Sequence, residues 1–387
     1  MLEWKLIRLG DICLTNKSSY SSKDNWKFVN YLDTGSLTEN KITELQYINI
    51  EMDKMPSRAR RKVIKNSILY STVRPNQLHY GIIKEPVDNL LVSTGFTVID
   101  VDINKAIPEF IYYLLTQNNT TEQLQAIAEQ SVSTYPCIKP SDIENLEFKL
   151  PNLIIQNKIV SILDTIDSKI RQNEKINNNL EQQAQAIYQQ MFIDNASSDW
   201  AEGTLSNIAD ITMGQSPSGS SYNEDGNGTI FFQGRAEFGF RFPTVRLYTT
   251  EPKRMACAND TLMSVRAPVG DLNVAHTDCC IGRGLAAIHS KNNHQSFVLY
   301  TMFSLKKQLD VFNGEGTVFG SINRNSLNEM PILIPSSEKL DEFEALVAPM
   351  DAAIRNNYDE ICRLEQLRDS LLPQLMSGEL DVSGIDL

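Results

Sequence analysis

The 387-residue chain has few of the residues that build disulfide scaffolds or zinc sites. Its six cysteines are scattered without a C-x-x-C pair, and none of its four histidines is followed by another at i+4. Zinc sites need closely spaced ligands, and disulfide scaffolds are small and cysteine-dense. The sequence therefore offers no recognisable zinc ligand set, and we expect free thiols in a reducing compartment.

Long apolar runs are also absent. No segment approaches the ~20 consecutive apolar residues of a membrane-spanning helix. The opening segment, MLEWKLIRLGDIC, alternates charged and apolar residues where a secretion signal would have a continuous apolar core. Glycine and proline are not enriched, which excludes collagen-like and low-complexity chains. We therefore expect a cytoplasmic globular protein of two to three domains.

Motifs that carry catalysis are missing as well. The chain has no G-x-x-x-x-G-K-[ST] phosphate loop, no G-x-S-x-G nucleophile elbow, no H-E-x-x-H zinc motif and no Asn/Asp-Pro-Pro-aromatic motif of amino-methyltransferases. The glycine-rich segment 314–320 lacks the lysine of a nucleotide-binding loop. We expect neither enzymatic activity nor a cofactor on this chain.

What the sequence does contain is an internal repeat. Segment 138–151 matches 322–335 at an offset of 184 positions, and the match continues without gaps into the helical patterns that follow. On the N-terminal side of these segments, L-Y-S-T-V-R-P (69–75) resembles L-M-S-V-R-A-P (262–268), and both contain an arginine and a proline. Each half is thus a globular part followed by a helix, and the predicted boundaries are 1–150, 151–199, 200–335 and 336–387.

The periodicity predicts an α+β fold. In the globular parts, short aromatic and β-branched runs alternate with turn residues, which predicts strands, with short helices near 108–130 and 294–311. Segments 153–192 and 343–375 instead place apolar residues at heptad spacing. Two such helices in one chain most simply form an antiparallel coiled coil; packing of each helix on its own globular part is the alternative. The architecture is then two β-rich domains in tandem, separated by two long helices, with a pseudo-twofold repeat.

Three asparagines interrupt the heptad seams, namely Asn173, Asn177 and Asn357. A buried asparagine at such a position costs stability but fixes the register of the two helices. Antiparallel pairing would bring Asn173 and Asn357 close together, whereas asparagines on a helix surface would have no such role.

The net charge of −12 argues against a nucleic-acid binder when it is taken over the whole chain. By segment, however, the charge is −1 for 1–150, −2 for 151–199, −1 for 200–335 and −8 for 336–387. The acidity therefore belongs mainly to the last segment, and either globular part can carry a basic face.

Two groups of side chains in the first half suit nucleic acid. A basic run that includes Arg60, Arg61 and Lys62 precedes a strand-like segment, and Lys253 with Arg254 hold the matching place in the second half. Placed on a loop, such cations would anchor phosphates, although a solvated surface is the alternative. The run S-T-V-R-P-N-Q-L-H offers side chains that bond base edges: Arg74, Asn76, Gln77 and His79.

The second half contains five motifs in order: G-Q-S-P-S-G-S-S-Y-N (214–223), F-F-Q-G-R-A-E-F-G (231–239), S-V-R-A-P-V-G-D-L (264–272), I-G-R-G-L-A-A-I (281–288) and G-T-V-F-G-S-I (316–322). Together they resemble the target recognition domain of the DNA specificity (S) subunit of type I restriction-modification systems. The tandem arrangement extends this resemblance over nearly the whole chain. The first half departs from the motifs, for example with Ser93-Thr94-Gly95 in place of Gly-Arg-Gly.

The resemblance implies a non-catalytic subunit whose two recognition domains each read one half of a bipartite target. Its implied partners are double-stranded DNA, two modification (methyltransferase) subunits and, through them, restriction (translocase) subunits. S-adenosylmethionine, ATP and magnesium would belong to those partners. The implied DNA-binding candidates are Gln215, Ser216, Arg235, Arg266, Arg283, Thr317 and Phe319, with Ser133, Thr134 and Tyr135 in the first half.

Two other classes of function stay open from the residues alone. A scaffold that binds proteins through its β-rich domains is favoured slightly by the net acidity, and it would not bind duplex DNA in a salt-dependent way. A nuclease would cut DNA in the presence of magnesium, but the carboxylates form no recognisable two-metal pattern.

Overall fold

The computed structural model describes residues 4–131, 135–314 and 320–385. The chain divides into two compact units: Met1–Ile170 with Cys362–Leu387, and Arg171–Ile361. Both divisions fall inside the long helices. The division into units therefore does not test the domain boundaries that the repeat predicts, and these stay a prediction.

The β-rich part of the first unit contains short strands followed by short helices. The strands are β1 (Lys5–Arg8), β2 (Cys13–Thr15), β3 (Phe28–Leu32), β4 (Leu37–Thr38), β5 (Lys41–Ile42), β6 (Gln46–Asn49), β7 (Ala59–Lys62), β8 (Ser67–Ser71), β9 (Tyr80–Ile83), β10 (Leu90–Ser93), β11 (Phe96–Val101) and β12 (Glu147–Leu150). The helices are α1 (Pro108–Leu115), α2 (Asn118–Glu129) and α3 (Pro140–Glu144), and the long helix α4 (Leu153–Tyr188) follows, continued by a π-helical segment, Gln189–Asp194.

The second half repeats this order. Its strands are β13 (Ala201–Thr204), β14 (Ala209–Met213), β15 (Tyr222–Asn223), β16 (Thr229–Phe232), β17 (Leu247–Thr249), β18 (Met255–Ala256), β19 (Thr261–Ser264), β20 (Leu272–Val274), β21 (Cys279–Ile281), β22 (Leu285–Ser290) and β23 (Pro331–Ile334). Its helices are α5 (Leu205–Ile208), α6 (Gln295–Ser304), α7 (Lys306–Asp310), α8 (Arg324–Asn328) and the long α9 (Ser337–Ser377).

The sheet topology confirms the internal repeat and the α+β class. The sheet β2-β11-β8-β9 of the first unit has its counterpart in β14-β22-β19-β20 of the second. The parallel pair β3 and β10 likewise recurs as β16 and β21. The helix predicted near 108–130 is split into α1 and α2, and the one near 294–311 into α6 and α7.

In each unit the long helices complete the hydrophobic core. In the first unit, Leu163 of α4 and Leu375 of α9 are fully buried with Phe110 of α1. In the second unit, Tyr188 of α4 packs against Phe343 of α9 with ring centroids 5.9 Å apart. Full burial of such side chains stabilises the fold by about 1.5–3 kcal/mol each. Each helix therefore contacts the other helix and also a β-rich part, so both packing modes considered from the sequence are present.

The contacts between α4 and α9 are antiparallel. Within the second unit, Asn173 donates to Glu360 over 2.7 Å, and Asn357 donates to Asn177 over 2.8 Å. Asn357 therefore pairs with Asn177, which lies one helical turn after the expected partner, Asn173, on α4. Asn173 and Asn177 are both buried, at 1% and 3% exposure, so each amide needs the partner it has. That these residues fix the register stays a prediction.

Candidate nucleic-acid interface

The motif segments of the second half converge in space. Backbone hydrogen bonds of 2.8–3.0 Å join them in pairs: Gly214 donates to Leu285, Gln215 to Ile281, Gly282 to Phe232, Val265 to Gly284 and Ala267 to Gly320. The first four of these segments follow the ends of strands β14, β16, β19 and β21, so the two sheets position them at one place.

Glycines allow this close approach. A Cβ atom on Gly214 would lie 2.1 Å from the carbonyl oxygen of Gly282, and one on Gly282 would lie 2.8 Å from that of Gln233. Both oxygens belong to the backbone, which cannot rotate away as a flexible side chain can. Gly214 and Gly282 are therefore required because the three loops pack backbone against backbone at these two positions.

The converging loops form a groove, which we call the arginine groove. It is a cavity of about 320 Å³, and its polar lining residues are Gln233, Arg235, Glu237, Arg246, Ser264 and Arg266. Three guanidinium groups therefore line one site although segment 200–335 is nearly neutral. Guanidinium and amide groups are the donors that contact phosphates and base edges in DNA.

The three arginines differ in how they are held. Arg235 forms an ion pair with Asp271, and Arg246 donates to Glu237 over 2.9 Å. Arg266 is exposed and has no ion pair within the parts of the chain that the structure describes. Two guanidinium groups are thus oriented by carboxylates, and the third is free to follow a ligand.

The remaining candidates of the second half lie beside the arginine groove or away from it. Arg283 is exposed, and its backbone N–H donates to Ser216 over 3.2 Å, next to the exposed Gln215. Arg254 accepts from the backbone N–H of Ile281 and therefore lies on the neighbouring strand connection, with Lys253 exposed beside it. Thr317 and Phe319 lie outside the described residues.

The first half has the same backbone framework with a shifted arginine. Thr72 donates to Gly95 as Val265 donates to Gly284, and Arg74 donates to Pro136 as Ala267 donates to Gly320. Val73 consequently occupies the place of Arg266, and Arg74 that of Ala267. The apparent match of the two arginines in the sequence is therefore wrong by one residue.

Arg74 is presented by a constrained loop. Its backbone has φ of 47°, a left-handed conformation that costs a non-glycine residue free energy and often occurs at functional sites. Its guanidinium carbon lies 5.2 Å from the ring centroid of Tyr135, which is 57% exposed. An exposed arginine stacked on an exposed aromatic ring is suited to contact DNA.

The other candidates near Arg74 fall into two groups. Asn76 and Gln77 are exposed on the same loop, and the backbone N–H of Asn76 donates to Gln125 of α2 over 3.2 Å. His79 is half-buried, and its Nδ1 lies 2.7 Å from the carbonyl oxygen of Leu37, so this nitrogen is occupied within the protein. Ser133 and Thr134 lie outside the described residues.

The basic run of the first half is not on a loop, which corrects the expectation from the sequence. Arg60, Arg61 and Lys62 belong to strand β7. Lys62 pairs with Asp24, and Arg61 is half-buried with an Nε that has no hydrogen-bond partner in the described part of the chain. The local sequence resembled a charged loop, but pairing of β7 with β10 makes it a strand.

One residue near the first-half loops, Asp33, was missed as a site residue by the reasoning from sequence. Arg58 accepts from the backbone N–H of Thr94, and Asp33 follows β3 as Gln233 follows β16. Burial would raise the pKa of Asp33, but hydrogen bonds, foremost from Tyr31 over 2.6 Å, and the Arg58 charge lower it below its ordinary value. Asp33 is thus a fixed anion that can only accept hydrogen bonds. Alignment of the two parallel strand pairs would have revealed this position.

Within the described ranges, no group of three or more histidine, cysteine, aspartate or glutamate side chains is placed to hold a metal ion. In the same ranges, no helix combines the length and the apolar composition needed to cross a lipid bilayer.

Comparison with known proteins identifies relatives over almost the entire length. The family described as "Type I restriction modification DNA specificity domain" matches residues 1–182 and again residues 197–355. A protein of Methanocaldococcus jannaschii, provisionally named type I restriction enzyme MjaX specificity subunit, is 29% identical, with 98% of this chain and 94% of that protein covered. The type I restriction enzyme HindI specificity subunit of Haemophilus influenzae is 25% identical, with 98% and 100% covered.

A solved structure supports the fold. The crystal structure of the type I restriction-modification system S subunit from M. genitalium superposes with a TM-score of 0.61 at 16% identity, covering 97% of this chain and 96% of that one.

Proposed function

Because the chain belongs to the type I restriction modification DNA specificity domain family, we propose that it is the DNA-reading subunit of a type I restriction-modification complex. Two copies of the family domain in one chain suit a bipartite target, each β-rich domain reading one half-site. The observation that carries the proposal is the arginine groove, where motif loops distant in sequence assemble three guanidinium groups at one surface.

The chemistry of the groove suits DNA recognition. Contacts to phosphates supply affinity and depend on salt, whereas hydrogen bonds to base edges in the major groove supply specificity. Arg235, Arg246 and Arg266 offer both kinds of donor, and Gln233 adds an amide that can bond adenine. The first half would read a different sequence, because it replaces Gln233 by Asp33 and Arg266 by Val73 within the same framework.

The finer parts of the proposal concern partners and catalysis. We infer a non-catalytic cytoplasmic subunit that recruits two modification subunits, which bind S-adenosylmethionine and methylate adenine, and through them restriction subunits that use ATP and magnesium. The names of the relatives and the lack of a catalytic motif in the sequence support this assignment.

The test has two parts. Methylome sequencing of cells with and without the gene should show a split adenine-methylated site that depends on the gene. The purified chain with its modification subunits should then bind a duplex containing that site in a salt-dependent way and methylate it, while the isolated chain transfers no methyl group. An unchanged methylome with no salt-dependent duplex binding would favour the protein-binding scaffold, and methyl transfer by the isolated chain would contradict the non-catalytic role.

A further inference from the structure

One ion pair in the arginine groove joins a buried acid to an exposed base. The side chain of Glu237 is 6% exposed and that of Arg246 is 58% exposed, and Arg246 Nη2 lies 2.9 Å from Glu237 Oε1. Both residues line the arginine groove. The chain folds back between them, since the backbone N–H of Thr244 donates to the carbonyl oxygen of Glu237. Glu237 belongs to a family-like motif, but Arg246 lies outside all five motifs.

The ion pair between Glu237 and Arg246 contributes little to the stability of the fold. Burial of a carboxylate costs free energy unless its oxygens are well paired, and Glu237 Oε2 is buried without a hydrogen-bond partner in the described part of the chain. The partner that does pair is largely solvated, and pairs of this kind contribute little to stability. What the buried carboxylate does supply is orientation, because it holds one nitrogen, Nη2, of a guanidinium group that lines the groove.

Orientation matters for reading a base and much less for neutralising a phosphate. Recognition of guanine by arginine uses two parallel hydrogen bonds to O6 and N7, which require a fixed guanidinium plane. Arginine can also form two hydrogen bonds to a phosphate, but much of that contact is charge attraction, which an adjacent carboxylate would weaken. Among the other arginines of the groove, Arg235 shares Asp271 with Lys306, and Arg266 has no ion pair in the described ranges.

We propose that Arg246 reads a guanine in the second half-site and that Glu237 is its positioning residue. This inference rests on the proposed DNA-reading function, and it assigns to one residue outside the family-like motifs the recognition of one base pair. Arg266 is the contrasting residue, with a free guanidinium that suits a phosphate.

The experiment uses the complex of the full chain with its modification subunits and duplexes in which each G·C pair of the second half-site is replaced in turn. For the wild type, one replacement should weaken binding about 10- to 100-fold. Arg246→Gln should abolish this discrimination at that pair alone, with the other positions and the first half-site still read. Arg266→Ala should instead weaken binding to all duplexes evenly and reduce the salt dependence. Arg324→Ala, an exposed arginine of α8, is the matched control and should behave as the wild type.

The role of Glu237 is tested by a double-mutant cycle. Glu237→Gln should reduce discrimination at the same base pair, and Arg246→Gln with Glu237→Gln should be no worse than Arg246→Gln alone. The double variant leaves no unpaired buried charge, so its thermal unfolding separates a folding defect from a recognition defect. Uniform loss of binding in a folded Arg246→Gln variant, or additive effects of the two substitutions, would overturn the proposal. If the wild-type complex binds no specific duplex, the proposed function itself fails.

Discussion

A buried arginine in the second unit offers a quantitative test of the structure. Arg241 follows the motif 231–239, and its side chain is 4% exposed. Its Nη2 lies 3.1 Å from Oε1 of Glu181 on α4, and its Nη1 lies 3.3 Å from Oδ1 of Asp351 on α9. Nη2 also donates to the hydroxyl of Tyr300 over 3.1 Å. One side chain therefore connects the segment that follows this motif to both long helices.

Replacement of Arg241 by methionine should destabilise the second unit strongly. It leaves Glu181 and Asp351, with side chains 17% and 22% exposed, as neighbouring carboxylates without a cation. Removal of one partner from a buried ionic network costs about 3–5 kcal/mol. Lys339→Met is the control, because Lys339 and Glu342 form a pair that is about half exposed, and its loss should cost no more than ~1 kcal/mol.

The cost should depend on pH in a defined direction. Burial already raises the pKa of Asp351 and of Glu181 above their ordinary values in spite of Arg241, and loss of the cation should raise both further. The folded variant then binds protons at a higher pH than the unfolded chain does, so its free energy of unfolding should increase as the pH falls. The expected recovery is up to about 1.4 kcal/mol per pH unit for each carboxylate, as the pH falls through the raised pKa of the folded variant toward the ordinary pKa of the unfolded chain.

Urea unfolding followed by pulse hydrogen exchange measures this effect, because peptides from β19–β22 report on the second unit alone. Wild type, Arg241→Met and Lys339→Met would be compared at several pH values. A deficit for Arg241→Met below ~1 kcal/mol near pH 7.5, or one that does not change with pH, would refute the reasoning from buried carboxylates.

Three further outcomes are expected. Gly282→Ala places a Cβ 2.8 Å from a backbone oxygen. It should abolish discrimination of the second half-site in duplex binding, while the first half-site is still read. Loss of discrimination at both half-sites would contradict a local effect. Asn177→Leu removes the acceptor of the Asn357 amide and should cost about 1–3 kcal/mol in urea unfolding, most of which Asn357→Leu in the same chain should restore; additive losses would refute the pairing. Exchange of residues 1–150 for those of a relative should change one half-site in the methylome, and a change in both would disprove modular reading.

Local patterns in the sequence were sufficient for the architecture. The heptad spacing of 153–192 and 343–375 predicted α4 and α9, because a helical face recurs with a short period that is visible in the letters. The repeat predicted two similar β-rich parts, and the order of sheets confirms it. The glycines of the motifs could be read from the sequence. The reason for Gly214 and Gly282, which is that the loops pack backbone against backbone there, could not.

The tertiary structure decided which side chains share the site. Strand pairing moved Arg60–Lys62 from an expected loop into β7, and the hydrogen-bond register showed that Val73, not Arg74, corresponds to Arg266. A shift of one residue changes where a side chain points, although the two half-sequences still look nearly aligned. The sequence did not identify Arg246 as a site residue for a related reason. Its pairing with Glu237 depends on how the intervening chain folds back, and a contact of this kind produces no repeating pattern in a single sequence.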